Sequence, residues 1–277
     1  MDPIAVFYLS ADLAVAASAL ASRHSLPVVD ASAVTDARTK HQLSFYRKQF
    51  EAPKFVAFLL EQGVLKLLQV EVDRVVTIAV DFTSPEVNYR RLNGGGRGEA
   101  IARAVGLRGE AAPSVLDATA GLGGDAYVLA SLGCQVRMLE RVPALAELLA
   151  DGLSRGVAAS VSDSDSSAIL RRMELIEADA INYLNGLSAE ARPDVIYLDP
   201  MFPERRKSAA VKKEMQVLHH LVGPDADASE LLLAALAQAR QRVVIKRPRS
   251  AGPVAGQPPD HVIEGVRNRF DLYTRQS

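Results

Sequence analysis

Strand-like and helix-like segments alternate along the chain from Pro113 onward. Helical stretches, or the glycine turn that opens one, separate most of the strand-like runs. Strands that alternate with helices are typical of a doubly wound parallel sheet of the Rossmann-like class. We therefore predict an α/β fold with strands at SVLDA (114–118), CQVRMLE (134–140), RMELIEA (172–178), DVIYLD (194–199) and RVVIKR (242–247), closed by short β-like runs near 261–264 and 269–273.

The N-terminal portion has a different pattern. A strand-like run at 3–9 precedes an alanine-rich helical stretch at 10–22, and two apolar runs flank Gln62-Gly63 as in a β-hairpin. These features predict a small α+β domain over residues 1–88 and a doubly wound domain over 89–277. We also expect the serine- and aspartate-rich stretch 160–168 to be an exposed loop before the third strand of the larger domain.

Composition narrows the class of protein. Of the 277 residues, 48% are hydrophobic and 23% charged, which suits a sizeable core rather than a disordered chain. Cys134 is the single cysteine, so an intramolecular disulfide or a multi-cysteine metal site is excluded. No apolar run approaches the roughly 20 residues of a membrane span, and Met1-Asp2-Pro3 lacks the positive charge of a secretory signal. We expect a cytoplasmic protein without a membrane or metal partner.

Positive charge is clustered although the net charge is only -1. Such patches on a near-neutral protein are typical of a surface that meets a polyanion. The clusters are Arg90, Arg91, Arg97, Arg103 and Arg108; then Arg205, Arg206, Lys207, Lys212 and Lys213; then Arg240, Arg242, Lys246, Arg247 and Arg249.

A glycine turn follows the first strand of the predicted sheet. It runs from Asp117 to Asp125, contains Gly121, Gly123 and Gly124, and leads into a helix whose free N–H groups can meet a ligand. Glu140 ends the second strand, where a carboxylate can accept hydrogen bonds from both hydroxyls of a ribose. NAD and S-adenosylmethionine both carry such a ribose, so this pattern alone admits either.

Two acids favour S-adenosylmethionine. Asp117 precedes the glycines, where it would repel a pyrophosphate and attract an ammonium group. Asp179 follows the third strand, where it can accept from an adenine amino group while the amide of Ala180 reads the ring. A nucleotide-dependent oxidoreductase remains the alternative enzyme, because the spacing Gly121-x-Gly123-x-x-Ala126 also fits a dinucleotide turn.

The fourth strand ends in the run VIYLDPMFP, residues 195–203. Its DPMFP segment looks like a variant of the Asp/Asn-Pro-Pro-Tyr/Phe motif of methyltransferases that modify exocyclic amino groups of bases. That likeness implies that Asp199 and the Pro200 carbonyl accept the amino hydrogens and that the Phe202 ring stacks on the base. Met201 replaces the second proline of the motif.

Several segments together resemble the ribosomal RNA small subunit methyltransferase J family. They are GGGRGEA (94–100), DATAGLGGDAYVLASLGC (117–134), VRMLER (136–141), YLDPMFP (197–203) and VKKEM (211–215). The likeness is dense from about residue 90 onward and loose before it.

The resemblance implies a guanine-N2 methyltransferase acting on 16S rRNA of the small ribosomal subunit. It also implies a set of contacts to S-adenosylmethionine, and the basic residues after the motif would hold the RNA backbone. A non-catalytic RNA-binding or ribosome-assembly protein is a further alternative. The implied cofactor contacts are Gly124, Asp125, Glu140, Arg141, Asp179, Ala180 and Asp199, and the implied RNA contacts are Arg205, Arg206, Lys207, Lys212 and Lys213.

Overall fold

The computed structural model of the chain describes residues 2–35, 37–50, 52, 54–85, 87, 96–107, 112–160, 163–200, 227–265 and 268–275. Among these, residues 2–80 form one compact unit and the residues from Asp81 onward form a second. The predicted boundary between 88 and 89 lies outside the described residues and stays a prediction.

The first unit is an α+β structure built on a five-stranded sheet. Its strand order is β2-β1-β3-β4-β5, with β1 parallel to both neighbours and the remaining pairs antiparallel. The elements are β1 Pro3–Tyr8, α1 Ala14–His24, β2 Val28–Asp30, α2 Thr39–Gln49, β3 Phe55–Glu61, β4 Val64–Val70 and β5 Val75–Ile78, with 3-10 turns at Ala11–Leu13 and Ser32–Val34.

The predicted hairpin is confirmed by its turn. Gln62 has φ of 52° and Gly63 has φ of 75°, so both central residues adopt the left-handed conformation that a two-residue hairpin loop requires. Helix α2 and strand β2 were not predicted. Tyr46 of α2 is buried, and its ring meets that of Phe7 at 5.0 Å in an edge-to-face contact that anchors the helix on the sheet.

The second unit confirms the predicted doubly wound α/β class. Its seven-stranded sheet has the order β11-β12-β10-β9-β6-β7-β8, in which β12 is antiparallel to β10 and the pairs from β10 to β8 are parallel. The strands are β6 Ser114–Asp117, β7 Gln135–Glu140, β8 Met173–Glu177, β9 Val195–Leu198, β10 Arg242–Pro248, β11 His261–Glu264 and β12 Asn268–Thr274.

Helices connect these strands and cover the sheet. Strand β9 is buried along its whole length, as expected for a central strand packed on both faces. The helices are α3 Ala100–Ala104, α4 Gly124–Ser131, α5 Pro143–Ala159, α6 Ser164–Leu170, α7 Ala180–Asn185 and α8 Ala228–Gln238, with 3-10 turns at Gly96–Gly98 and Val254–Gly256.

The stretch 160–168 corrects one prediction. It was predicted to be an exposed loop, but residues 164–168 belong to helix α6. The Asp163 carboxylate caps this helix by accepting from the N–H groups of Asp165 at 3.1 Å and Ser166 at 3.2 Å. An aspartate at the N-cap satisfies N–H groups that would otherwise lack partners, so a polar run here begins a helix.

The order of the strands determines where a ligand can bind. From β6 the chain winds outward through β7 to β8, and then returns to β9 on the other side of β6. At such a switch point the connections after neighbouring strands diverge, and a crevice opens beyond their carboxyl ends. Asp117 ends β6 and Asp199 immediately follows β9, so both carboxylates lie at this crevice.

Candidate active site

Asp117 lies at the base of the crevice. Its side chain is buried, with 2% of the residue exposed, and one carboxylate oxygen accepts the Thr119 N–H at 3.1 Å. Burial raises the pKa of Asp117 to about 8, assisted by the charges of Asp125 and Asp199. The carboxyl is therefore largely protonated at neutral pH, and a cation placed beside it would lower its pKa and favour the ionised form.

In the glycine turn, a Cβ would be crowded at Gly123 and would meet open space at Gly121 and Gly124. Gly123 has φ of 73°, and a Cβ there would lie 2.8 Å from Leu149 Cδ1 and 3.1 Å from Phe82 Cζ. Gly121 has φ of 55°, but a Cβ there would meet no atom within 4 Å. Gly124 begins helix α4. Gly123 therefore serves packing, while Gly121 leaves space through which a ligand can approach the backbone.

Glu140 holds this turn from the end of β7. One carboxylate oxygen accepts the Gly121 N–H at 2.9 Å and the other accepts the Val142 N–H at 2.8 Å. Burial raises the pKa of Glu140, and these N–H donors oppose the shift. A carboxylate has about four lone-pair positions, so the side chain retains the capacity to accept a hydrogen bond from a ribose.

The remaining predicted cofactor residues lie around the same edge. Asp179 follows β8 and caps helix α7 by accepting the Asn182 N–H at 2.9 Å, and Ala180 behind it is buried. Arg141 follows Glu140 and forms an ion pair with Asp227 at 2.5 Å. The structure thus puts Asp179 and Arg141 at the ends of strands, each with a partner of its own.

Lys246 of β10 is a site residue that the sequence did not single out. Its Nζ donates to Asp125 Oδ2 at 2.6 Å and to Asp199 Oδ2 at 2.8 Å. The Tyr197 hydroxyl also donates to Asp125 Oδ2, at 2.8 Å, and the Asp199 N–H donates to Thr119 Oγ1 at 2.6 Å. Residues from β9, β10, helix α4 and the glycine turn therefore form one network at the crevice.

The charges of this network support one another. Burial by itself lowers the pKa of Lys246, but the charges of Asp125 and Asp199 outweigh it and leave that pKa raised, so the amine stays protonated. Burial raises the pKa of Tyr197 well above its usual value, as do Asp125 and Asp199, so the phenol keeps its proton and acts as a donor.

The third basic cluster is not a shared exposed face. Lys246 contacts the crevice acids, and Arg247 is buried with 6% of the residue exposed. Arg240 donates to the Glu190 carbonyl at 2.8 Å and Arg249 forms an ion pair with Glu264 at 2.8 Å. Lys246 and Arg247 therefore do not belong to an exposed basic face, and the expectation that the cluster meets a polyanion stays a prediction for the exposed Arg240 and Arg249.

Some predicted residues lie outside the described part of the chain. Pro200 is described and buried directly after Asp199. The stacking ring and the basic residues after it are not described, so their roles stay predictions. They are Met201, Phe202, Arg205, Arg206, Lys207, Lys212 and Lys213.

The described residues contain neither a metal-binding cluster nor a helix that could cross a membrane. Within them, no group of three or more His, Cys, Asp or Glu side chains is arranged to hold a metal ion. No helix in the same residues combines the length and apolar character needed to cross a bilayer.

Comparison with known proteins identifies the family. The profile of the SAM_MT family of SAM-dependent methyltransferases matches residues 39–275. A protein of Thioalkalivibrio sulfidiphilus named "Ribosomal RNA small subunit methyltransferase J" is 45% identical over 270 residues, which cover 98% of this chain and 97% of that protein. The chain belongs to the ribosomal RNA small subunit methyltransferase J family. A protein of the same name from Cellvibrio japonicus is 45% identical over 268 residues, covering 96% of each chain.

A solved structure supports the same assignment. The crystal structure of a SAM-dependent methyltransferase from Neisseria gonorrhoeae is 32% identical to this chain, with a TM-score of 0.66, and covers 97% of this chain and 95% of that one. The likeness includes the N-terminal residues, where the sequence motifs alone were loose. Membership of a methyltransferase family decides against the nucleotide-dependent oxidoreductase and the non-catalytic RNA-binding protein.

The crevice fits the cofactor of this family, S-adenosylmethionine. Asp117 offers a buried carboxyl for a cationic group, Glu140 offers acceptors for a ribose, and Gly121 leaves open space beside both. A diphosphate would meet the acids Asp117, Asp125 and Asp199 near the first of these positions, where the cation Lys246 is already paired with two of them. The donor set is thus consistent with a sulfonium cofactor and unsuited to a dinucleotide.

Proposed function

We propose that this chain transfers a methyl group from S-adenosylmethionine to the exocyclic N2 of a guanine in 16S rRNA of the small ribosomal subunit. The observation that carries the proposal is the position of Asp199, which begins the DPMFP segment at the crevice and whose Oδ2 lies 2.8 Å from Lys246 Nζ. The names of the J-family relatives, which specify the small-subunit ribosomal RNA, support the choice of substrate. The resemblance of the motif supports guanine.

The proposed contacts to S-adenosylmethionine follow the positions of the acids and glycines in the crevice. S-adenosylmethionine supplies an electrophilic methyl group on its sulfonium. Asp117 attracts the ammonium group, Glu140 accepts from the ribose hydroxyls, and Asp179 with the Ala180 N–H holds the adenine. Further contacts to S-adenosylmethionine come from the glycine turn and from residues near it. They are Gly121, Gly123, Gly124, Asp125, Arg141 and Asp199.

The acceptor side overcomes a chemical difficulty. The lone pair of a guanine N2 is delocalised into the ring and is a poor nucleophile. Asp199 and the Pro200 carbonyl accept hydrogen bonds from its two N–H groups, and Phe202 stacks on the base. The nitrogen is thereby fixed in line with the methyl group. Catalysis of this kind is mostly positioning and electrostatics.

RNA contacts complete the proposal. Proteins read RNA mainly through unstacked bases on aromatic platforms, and phosphate contacts position the strand. We assign the phosphate contacts to Arg205, Arg206, Lys207, Lys212 and Lys213. We expect the reaction to take place in the cytoplasm, where small subunits are assembled, with 16S rRNA or the small subunit as the partner.

The test is methyl transfer by Asp199→Asn. Wild-type protein, Asp199→Asn and the control Asp151→Asn are supplied with isotopically labelled S-adenosylmethionine and either 16S rRNA or small subunits. Asp151 suits as a control because it is a carboxylate of an ion pair, with Arg155 at 2.7 Å, on helix α5. The digested RNA is then analysed for N2-methylguanosine and N6-methyladenosine.

We expect N2-methylguanosine with wild-type and control protein and a loss of at least about tenfold with Asp199→Asn, because an amide has one acceptor oxygen whereas the carboxylate offers one oxygen to Lys246 and the other to the base. Label in an adenine, or in no base of this RNA, would refute the substrate. Full activity of Asp199→Asn would refute the role of the carboxylate and leave the substrate assignment intact.

A further inference from the structure

Among the described residues of the crevice, one ammonium group lies between several acids. Lys246 reaches the crevice from β10 and faces Asp199 after β9, Asp125 on helix α4, Tyr197 on β9 and Asp117 on β6. Its side chain is 22% exposed and that of Asp125 is 15% exposed, so this ion pair is largely shielded from water, while the Asp199 side chain is 39% exposed on the open side of the crevice. Shielded charge pairs interact more strongly than surface ones. The described site thus includes a cation that the DPMFP motif does not contain.

We propose that Lys246 is a positioning residue for methyl transfer, which fixes Asp199 through Oδ2 and thereby presents Oδ1 to the amino group of the acceptor base. This inference rests on the proposed function, because it assigns Lys246 a part in the same reaction. Lys246 does not contact the base; it acts through Asp199.

The hydrogen bonds of Asp199 support this role. Lys246 Nζ lies 2.8 Å from Asp199 Oδ2, and the Asp199 N–H lies 2.6 Å from Thr119 Oγ1. Side chain and main chain of Asp199 are therefore each anchored by a separate hydrogen bond. With Oδ2 held by a cation, the carboxylate has a preferred orientation, and its other oxygen can accept from a substrate amine.

The charges around Asp199 also support this role. Asp117, Asp125 and Asp199 interact with one another, and Lys246 is the cation that offsets their charges in this network. Without Lys246, a nearby negative charge would favour the protonated form of Asp199. A protonated Asp199 is a weaker acceptor for an N–H, so the charge of Lys246 favours the ionised form that the acceptor role requires.

The contacts of Lys246 extend to the cofactor side of the crevice. Lys246 also donates to Asp125 Oδ2 at 2.6 Å, and Asp125 lies in the first turn of helix α4, directly after the glycine turn. One ammonium group therefore joins the cofactor side to the acceptor side. This link orients the acceptor carboxylate relative to the turn that borders the methyl donor.

The experiment compares Lys246→Met and Lys246→Arg with wild type and with the control Arg155→Met. Arg155 is a cation in an ion pair with similar exposure, 26% against 22% for Lys246. The readouts are kcat and KM for the RNA substrate, the Kd of S-adenosylhomocysteine, the pH profile of kcat, and the pKa of the ¹³C-labelled Asp199 carboxyl in protein without ligands.

We expect Lys246→Met to lower kcat by about 10- to 100-fold, the effect of losing a hydrogen bond to a charged group. The Kd of S-adenosylhomocysteine should change by a smaller factor than kcat, because Lys246 meets the cofactor side through Asp125 and acts on methyl transfer through Asp199. The acid limb of the pH profile and the pKa of Asp199 should both move upward. Lys246→Arg should restore the acid limb and part of kcat, and Arg155→Met should match wild type.

The proposal is overturned if Lys246→Met keeps the wild-type kcat and acid limb, if its Asp199 carboxyl titrates as in wild type, or if only the Kd of S-adenosylhomocysteine changes. Wild-type protein provides a second test that does not depend on the variant folding. The ¹³Cε resonance of Lys246 should shift with the same midpoint as the Asp199 carboxyl and the acid limb of kcat. Different midpoints would also overturn the proposal.

These readouts separate the two proposals. If wild-type protein methylates no guanine, the proposed function fails, and the Asp199 titration still decides whether Lys246 holds that carboxylate. If wild-type protein is active and Lys246→Met behaves like Arg155→Met, the positioning role fails alone.

Discussion

The Tyr197 hydroxyl donates a 2.8 Å hydrogen bond to the carboxylate of Asp125, although the two residues are 72 positions apart in the chain. Tyr197 is completely buried at 0% exposure, and Asp125 lies in the first turn of helix α4. The bond joins the middle of the sheet to the start of the helix that follows the glycine turn. It therefore stabilises the fold at the same point where the crevice opens.

Replacing Tyr197 by Phe should lower the free energy of unfolding by about 2 kcal/mol, because the lost acceptor is a charged carboxylate. Tyr273→Phe is the matched control, since that buried tyrosine donates at 3.0 Å to a neutral acceptor, the Gln257 carbonyl. Its loss should cost only about 1 kcal/mol. Denaturant unfolding of the two variants makes the comparison, and an equal or larger loss for Tyr273→Phe would contradict it.

Gly123→Ala should destabilise the protein through backbone strain and crowding. The residue has φ of 73°, and the new methyl group would lie 2.8 Å from Leu149 Cδ1 in a packed core. We expect the free energy of unfolding to fall by about 1–3 kcal/mol. Thermal or denaturant unfolding measures this, and a stability equal to wild type would show that Leu149 and Phe82 shift without cost.

Gly121→Ala should act mainly on cofactor binding. Its φ of 55° adds a cost of about 1 kcal/mol for the left-handed conformation, but the new methyl group points into open space. We expect the Kd of S-adenosylhomocysteine to rise at least about tenfold because a Cβ obstructs close approach to the backbone. Calorimetry compares the variant with wild type, and unchanged affinity would mean that the cofactor does not approach at Gly121.

Much of this arrangement is predictable from where acids fall relative to apolar runs. Asp117, Glu140 and Asp199 each end or follow a strand-like run, and a parallel sheet brings such positions to one edge. The turn at Gln62-Gly63 is likewise predictable, since it requires a left-handed conformation and contains a glycine. In both cases the signal is local and has a single physical interpretation.

Other parts depend on contacts that no short stretch contains. Lys246 has the pattern of a basic residue near a strand end, and only the neighbouring position of β9 and β10 brings it to Asp199. Tyr197 looks like an ordinary core aromatic until the helix after the glycine turn is packed beside it. The prediction of a loop at 160–168 was wrong because the capping role of Asp163 was overlooked, although an aspartate before a helix is a recognisable signal.

Asp117 should make stability depend on pH in a direction opposite to that of most carboxylates. Burial raises its pKa to about 8 in the folded protein, from an ordinary value of 3.8 when the chain is unfolded. Below the ordinary value both states hold the proton. Between the two values only the unfolded state releases it, so the contribution of Asp117 to stability falls as pH rises through this window.

The measurement compares wild type with Asp117→Asn, which keeps an oxygen to accept the Thr119 N–H but does not titrate. The difference in unfolding free energy should shift in favour of the variant as pH rises from about 5 to about 7, by at most about 1.4 kcal/mol per pH unit. Other titrating groups affect both proteins alike and cancel in the difference. A difference that stays constant over this range would mean that Asp117 is already ionised in the folded protein, and its buried carboxyl would then carry a full negative charge beside Asp125 and Asp199.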